Sequence, residues 1–364
     1  MKKIYSSLGL MSGTSGDGVD SSVIKSDGED QILIENNEYN AYPSEISDEI
    51  HKIREKIQIS IDLNKFKTDI NKLSEKLTDF HAVIANKIVK KNNIDIIGFH
   101  GQTIFHNSEE KISKQIGNGD KLSKLTRKPV VYDFRQNDLK NGGEGAPLAP
   151  IYHQAIIKNL DKKNKIKLPL VILNIGGIAN ITIINENYKI NSMDIGPGNC
   201  LIDKWIRLNS NKKIDENGNF AKLGKIDKFI LNQSLDTYYN NIVSKKKSLD
   251  VNNFDVSFAR GLSLENGAAT ITEFTADILS KKITNNSIYV CGGGRKNNFL
   301  IERLRNKVKN KIISIDEIEI DGDFIESQAF GYLAIRSYLS LPISFPNTTG
   351  CKNPSTGGVI VKNF

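Results

Sequence analysis

Cysteine is scarce. The 364-residue chain has three, Cys200, Cys291 and Cys351, widely spaced, with no CxxC and no metal-ligand spacing. An odd, unpatterned set excludes a disulfide framework and fits a reducing compartment. Long hydrophobic runs are lacking too: none approaches the roughly 20 residues that a membrane span needs. The start, MKKIYSSLGLM, has two lysines but neither a long apolar stretch nor an A-x-A site, which argues against a signal peptide. Together these absences predict a cytoplasmic protein with no membrane partner. Several signatures are also absent: GxGxxG and GKS/GKT, which removes Rossmann and P-loop chemistry; HExxH, without which the histidines do not read as metal ligands; and the GxSxG elbow of hydrolases. There are no heptads, solenoid repeats or low-complexity linkers.

What is present suits a soluble globular protein, with 38% hydrophobic and 25% charged residues and length enough for two domains with real cores. The net charge of +8 raises nucleic acid as a partner. Against that, the clusters Lys87 to Lys91, Lys162 to Lys167 and Lys245 to Lys247 have no interleaved aromatics, in a chain rich in Lys, Asn and Ile throughout. They read as solvated faces, and no nucleic acid is expected.

The organising stretch runs from Leu168 to Asp203. Pro169 to Asn174 is a short apolar run ending at Gly176-Gly177, Ile181 to Ile184 is a second, and a third stops at Asp194-Ile195-Gly196-Pro197-Gly198-Asn199. Such runs bounded by Gly, Asn and Pro predict strands joined by tight turns. Gly176-Gly177 can turn bare backbone N–H groups to an anion, and Asp194 is expected on a strand end. The N-terminus repeats the pattern: Ile4 to Met11 is strand-like, Ser12 to Gly18 is a Gly-rich polar loop, and Val19 resumes a strand. Two such hairpins suggest a duplicated α/β fold with nucleotide in a cleft between its halves. Either loop alone reads equally as a tight turn.

Elsewhere, Gln31 to Tyr39 predicts a strand, and Ser44 to Lys91 predicts helix, with Leu73, Leu77, Phe80, Val83, Ile84 and Ile88 on its apolar face. Ile94 to Phe99 predicts a buried strand ending at His100-Gly101-Gln102-Thr103, and Pro129 to Tyr132 another ending at Asp133-Phe134-Arg135. Open α/β sheets bind ligands at such strand ends. Asn141 to Pro147 reads as the crossing to the second half, which sets domains at 1–148 and 149–344, with a tail over 345–364 returning to the first. In the second half, Cys200 to Leu208, Leu262 to Lys281, Asn298 to Asn310 and Ile325 to Tyr338 predict helices, and Ser287 to Cys291 a strand running into Gly292-Gly293-Gly294.

Strand, three glycines, helix is either a phosphate- or adenosine-approach loop or a structural turn. His100 is read as a ligand hydrogen-bonder or a sheet-edge packing residue. Asp133, Arg135 and Asp138 form either a surface ion-pair cluster or, through Arg135, an oxyanion or carboxylate holder.

GLMSGTSGDGVD (Gly9 to Asp20), GFHGQT (Gly98 to Thr103), DFRQND with GGEGAPL (Asp133 to Leu148), NIGGIAN (Asn174 to Asn180), DIGPGN (Asp194 to Asn199), LSLENGAAT (Leu262 to Thr270), CGGGRKN (Cys291 to Asn297) and ESQAFGYLA (Glu326 to Ala334) resemble the anhydro-N-acetylmuramic acid kinases, in order over nearly the whole chain. One departure is Gly16, where that family usually has Leu. The resemblance implies a duplicated actin-like, sugar-kinase ATPase (ribonuclease H-like) fold, a homodimer, and ATP with Mg²⁺. It implies phosphorylation of O6 of 1,6-anhydro-N-acetylmuramate as water opens the anhydro ring, yielding N-acetylmuramate 6-phosphate and ADP in peptidoglycan recycling. By position, Gly13, Thr14, Ser15, Gly16, Asp17, Gly18, Val19 and Asp20 would hold ATP phosphates, with Asn174, Gly176, Gly177, Gly292 and Gly293 completing the nucleotide site. His100, Gln102, Thr103, Asp133, Arg135 and Asn199 would take the sugar. Asp194 would be the general base. Glu326 would assist the water or hold a hydroxyl, against an equal reading as a carboxylate stabilised by its helix dipole. An ordinary sugar kinase and an actin- or chaperone-like ATPase are the competing functions.

Overall fold

The computed structural model describes residues 2–13, 15–163, 165–240, 249–283 and 287–364. Two compact units emerge, residues 1–164 with 324–364, and residues 165–323.

The first unit opens on a hairpin, β1 (Tyr5–Ser12) and β2 (Gly18–Ser26), followed by β3 (Ile32–Ala41), all antiparallel. The expected long helix is three: α1 (Ser44–Lys56), α2 (Asp62–Lys65) and α3 (Lys67–Val89). Leu73, Leu77, Ile84 and Ile88 of α3 are buried as their spacing requires, but Val83 is 71% exposed, on the solvent side of the stripe. Next come β4 (Ile96–Asn107), β5 (Ile112–Ile116), α4 (Gly119–Thr126), β6 (Val130–Tyr132), α5 (Gln136–Lys140) and α6 (Pro150–Asp161). β4 does not end at His100. It continues through Asn107, because β5 pairs antiparallel with its second half. Gly101, at φ +73°, sits at the kink, beside an irregularity in the β1–β4 register.

The second unit repeats the plan. β7 (Leu170–Ile175), β8 (Ile178–Ile184) and β9 (Ile190–Pro197) form an antiparallel meander, so Asp194 lies inside β9 rather than at its end. Then follow α7 (Cys200–Asn209), α8 (Asn219–Leu223), α9 (Lys228–Asn240), α10 (Leu264–Lys282), β10 (Ser287–Cys291), α11 (Asn298–Lys307) and β11 (Ile312–Ser314). The chain re-enters the first unit with α12 (Ile325–Tyr338) and β12 (Val359–Val361), which pairs with β6.

The first sheet runs β12-β6-β4-β1-β2-β3, with β5 flanking β4; the second runs β11-β10-β7-β8-β9. In each, the first three strands are antiparallel and two later ones parallel: the order is β3-β2-β1-β4-β6 in the first sheet, with β5 and β12 added to it, and β9-β8-β7-β10-β11 in the second. This is the ribonuclease H-like plan, occurring twice, and the fold is the duplicated actin-like, sugar-kinase ATPase fold. One core packs α1, α3 and α4 on the first sheet; the other packs α7, α10 and α11 on the second.

The unit boundaries differ from the sequence reading, which ended the first domain at 148 and placed 149–344 in the second. Helix α12 lies flat on β1 and β4 because Gly9 and Gly98 have no side chains: a Cβ at either would overlap the carbonyls of Ser327 or Phe330. Helix α6 follows it, through Tyr152 OH donating to Gln328 Oε1 (2.7 Å) and Asn159 Nδ2 donating to the Ile32 carbonyl (2.8 Å). Among the described residues no helix is long and apolar enough to cross a membrane.

Candidate functional site

The first unit offers a loop and a cluster. The loop joins β1 to β2, and donors from around it converge on its carbonyls. Gln102 Nε2 donates to Gly13 O (3.0 Å), Ser47 Oγ to Gly16 O (2.8 Å), and Tyr42 N (2.8 Å) and Tyr39 OH (3.1 Å) to Asp17 O. With these three carbonyls engaged, an anion at the loop would not meet them as competing acceptors. Gly16 takes φ +64° and closes the turn through its N–H to Gly13 O (3.2 Å). A Cβ on Gly13 would meet nothing nearer than Ser15 Oγ at 3.8 Å, whereas one on Gly18 would lie 2.6 Å from Asn40 O and the Tyr39 ring. So Gly13 is bare toward open space, and Gly18 is bare because β3 packs on it. Val19 is fully buried in the core and has only backbone to offer a ligand. Asp20 lies in the β2 ladder, opposite Met11 and Tyr39, while Asp17 accepts Ser15 Oγ at 2.6 Å. Thr14 lies outside the described residues, as does the Lys245 to Lys247 cluster.

Behind this loop Ser12 Oγ sits 2.6 Å from Tyr42 OH and 3.2 Å from His81 Nε2. His81 Nδ1 donates to the Leu77 carbonyl (2.8 Å), so Nε2 is the acceptor; burial holds this ring neutral, its pKa lowered to about 4. The hydroxyls therefore run Tyr42 to Ser12 to His81, a directed chain under the loop.

The cluster forms around Arg135. Its guanidinium donates to His100 Nε2 (3.0 Å), and His100 Nδ1 donates to the Gly101 carbonyl (2.8 Å). Burial, then the Arg135 charge, push His100 well below its ordinary pKa, so it is a neutral, oriented imidazole tilted against the Phe330 ring at 4.3 Å between centroids. Glu326, in the first turn of α12, faces the same guanidinium: burial raises its carboxyl above the usual range and Arg135 opposes that. Asp133, at φ +56°, is likewise raised by burial, with Lys114 and Lys140 opposing. Gln102, expected on the sugar, spends its amide N–H on Gly13, and its buried Oε1 has no protein partner. Thr103 Oγ1 accepts from Gln115 Nε2 (3.1 Å). Asp138 instead ties down the Gly145 amide (2.7 Å) and Thr349 (2.6 Å), a structural use.

In the second unit the ladder brings residues into a row. Asn174 pairs with Asn180, Asn180 with Asp194, and Cys291 with Asn174, so Asn174, Asn180 and Asp194 project to one face across three strands. Asp194 Oδ2 accepts the Leu249 amide at 2.8 Å. The Gly176-Gly177 turn is largely occupied: Gly176 N donates to Ile178 O (3.2 Å), and its carbonyls accept the amides of Gly198, Asn199 and Cys200 at 2.8–3.1 Å. Gly292, at φ +76°, is required because a Cβ would overlap Asn174 and come within 2.8 Å of Ile175 O. Gly293 is open, its nearest neighbour being Asn199 Nδ2 at 3.8 Å.

The sequence reading missed Tyr39, Tyr42 and Ser47 as loop holders and Asn180 in the row. Hairpin register, once known, would have exposed Asn180; the loop holders depend on packing that no local pattern encodes.

The sequence pattern of the anhydro-N-acetylmuramic acid kinase family matches residues 5–363. The chain is 51% identical to the Pelagibacter ubique anhydro-N-acetylmuramic acid kinase, covering 100% of both chains. It is 35% identical to the Agrobacterium fabrum protein of that name, again over 100% of each, and 37% to the one from Methylobacterium nodulans, over 98% of this chain and 99% of that protein.

Proposed function

The chain belongs to the anhydro-N-acetylmuramic acid kinase family, and from that premise we propose how its residues divide the reaction. It is a phosphotransferase that uses ATP on a small sugar. In the reaction, water adds to C1 of 1,6-anhydro-N-acetylmuramate, the C1–O6 bond breaks, O6 takes the γ-phosphoryl group, and N-acetylmuramate 6-phosphate and ADP leave.

Water is a poor nucleophile toward C1, so a carboxylate must accept its proton, a contribution of typically ~10²–10⁴-fold. We assign this to Asp194. The Leu249 amide fixes one of its oxygens, and its neighbours in the row, Asn174 and Asn180, are neutral hydrogen-bonding groups that do not compete for a proton. Phosphoryl transfer needs mainly positioning and neutralisation of charge. We assign the phosphates to the amides of residues 13–18, where the carbonyls of Gly13, Gly16 and Asp17 are already engaged, and the remainder of the nucleotide to Asn174, Gly176, Gly177, Gly292 and Gly293. The sugar falls to Arg135 and the neutral His100, with Gln102, Thr103, Asp133 and Asn199. Glu326, with its raised carboxyl, holds a sugar hydroxyl or assists the water. Among the described residues no three acidic, histidine or cysteine side chains converge to hold a metal. Mg²⁺ would arrive on the ATP phosphates and supply charge neutralisation there. We place the enzyme in the cytoplasm, in cell-wall sugar recycling, as a homodimer, a state that light scattering measures directly.

The observation that carries this reading is the family match from residue 5 to residue 363. Incubation with ATP, Mg²⁺ and anhydro-muramate in ¹⁸O-water tests it: the expected product is the 6-phosphate with one ¹⁸O at C1. Phosphorylation without label would make the protein an ordinary sugar kinase, and ATP hydrolysis indifferent to sugar would make it an ATPase of another kind.

A further inference from the structure

The three-glycine loop is fastened by the residue that follows it. The Arg295 side chain is 7% exposed and its donors are spent inside the protein. Nε and Nη2 fork onto Asp316 (2.7 and 3.1 Å), while Nη1 donates to Asp323 Oδ1 (2.6 Å) and to the Gly292 carbonyl (3.2 Å). The other side of the loop is held as well: Gly292 N donates to Gly322 O (3.1 Å), and Gly322 N donates to Asp316 Oδ1 (2.9 Å). Gly322 must be glycine, since a Cβ would stand 2.6 Å from Arg295 Nε. Burial works against ionisation of Asp316, yet Arg295 and the Gly322 amide hold its carboxyl down to about 2.

An arginine beside a glycine-rich loop invites a phosphate-binding role. Its geometry here excludes that, because two carboxylates already neutralise it and its fork is aimed at Asp316. We propose that Arg295 is a positioning residue for nucleotide: it pins the Gly292 carbonyl to Asp316 and Asp323, so that the open face of Gly293 is presented to ATP before ATP arrives. This rests on reading Gly292-Gly293 as part of the nucleotide site.

The test compares Arg295→Lys, Asp316→Asn and Gly293→Val by steady-state kinetics in both substrates, ADP titration and melting curves. Lysine keeps the charge but cannot form the fork. The expected result for Arg295→Lys is an ATP KM and ADP Kd raised by about 10-fold, with sugar KM and kcat at saturating ATP within about twofold. Asp316→Asn should move the same two constants in the same direction, and it carries the test if the lysine variant does not fold. Unchanged ADP affinity in folded Arg295→Lys and Asp316→Asn, with Gly293→Val strongly weakened, overturns the positioning role alone. Parallel loss of both substrates with a lower melting temperature also overturns it, leaving Arg295 a stability residue. Unchanged ADP affinity in Gly293→Val removes the loop from the nucleotide site and the proposal with it.

Discussion

The two units share a strand order but use it differently. In the first, the turn between the opening strands is long, and its carbonyls are gripped by Gln102, Ser47, Tyr42 and Tyr39. In the second, the equivalent turn is two glycines whose carbonyls are consumed by the amides entering α7. The first turn is therefore gripped by side chains and an amide from outside it, and the second is tied to the start of α7. What the second unit contributes lies one layer in, on the Asn174–Asn180–Asp194 row. The units also differ in titration. All five histidines (51, 81, 100, 106 and 153) are in the first, and none is in the second, which holds the only tryptophan, Trp205. Identical topology fixes where strands lie and leaves open which turn meets the ligand.

Acid should separate the units most strongly. Burial lowers His81 and His153 to about 4 and, with Arg135 adding to it, His106 to about 3. A depressed histidine stabilises the fold above its unfolded pKa, and that stability is lost as pH falls from about 6.5 through the folded value. At about 3–5 kcal/mol for each of these histidines, the first unit should unfold before the second. Hydrogen exchange by mass spectrometry, paired with Trp205 emission, measures this. Exchange that rises equally in residues 165–323 would erase the contrast.

Asp194→Asn comes next. If the row is the chemical element of the second unit, kcat at saturation should fall at least ~10²-fold with both substrates still bound and the melting curve unchanged. A folded variant with near-normal kcat would hand the base to Glu326.

Glycines sharpen the contrast between turns. Gly13→Val places its side chain in open space, so nucleotide affinity should drop about 10-fold or more without loss of stability. Gly18→Val and Gly198→Ala should lose stability as well, since their Cβ atoms meet the Asn40 and Gly176 carbonyls; a loss of about 1–3 kcal/mol is expected. Nucleotide titration beside thermal melts distinguishes them, and equal behaviour of Gly13 and Gly198 variants would remove the distinction.

Glu326→Gln should have the smallest effect on the fold, and an unusual sign. Because burial raises this carboxyl, its stabilising contribution belongs to low pH and is lost as pH rises through the folded pKa. The Gln variant should match wild type near pH 4 and melt a few degrees higher near pH 8, while losing activity. A variant less stable at both pH values would make Glu326 a structural anchor.

Much of this was legible along the chain. Short apolar runs between Gly, Asn and Pro marked the strands, and Ile325 to Tyr338 emerged as α12 with the bounds expected. The motif order was enough to indicate the family, because those patterns are local. Tertiary structure decided the rest. Whether α6 and α12 belong to the first or second unit depends on which sheet has glycines to receive a helix, and Gly9 and Gly98 are far from it in sequence. His100-Gly101-Gln102-Thr103 reads as a strand end until β5 is known to pair beyond it, and no local pattern shows that the Gln102 amide reaches the Gly13 carbonyl. A residue's neighbours within a few positions set its backbone preference; its burial, its charge state and the partner its hydrogen bond finds are set by residues that only folding brings near.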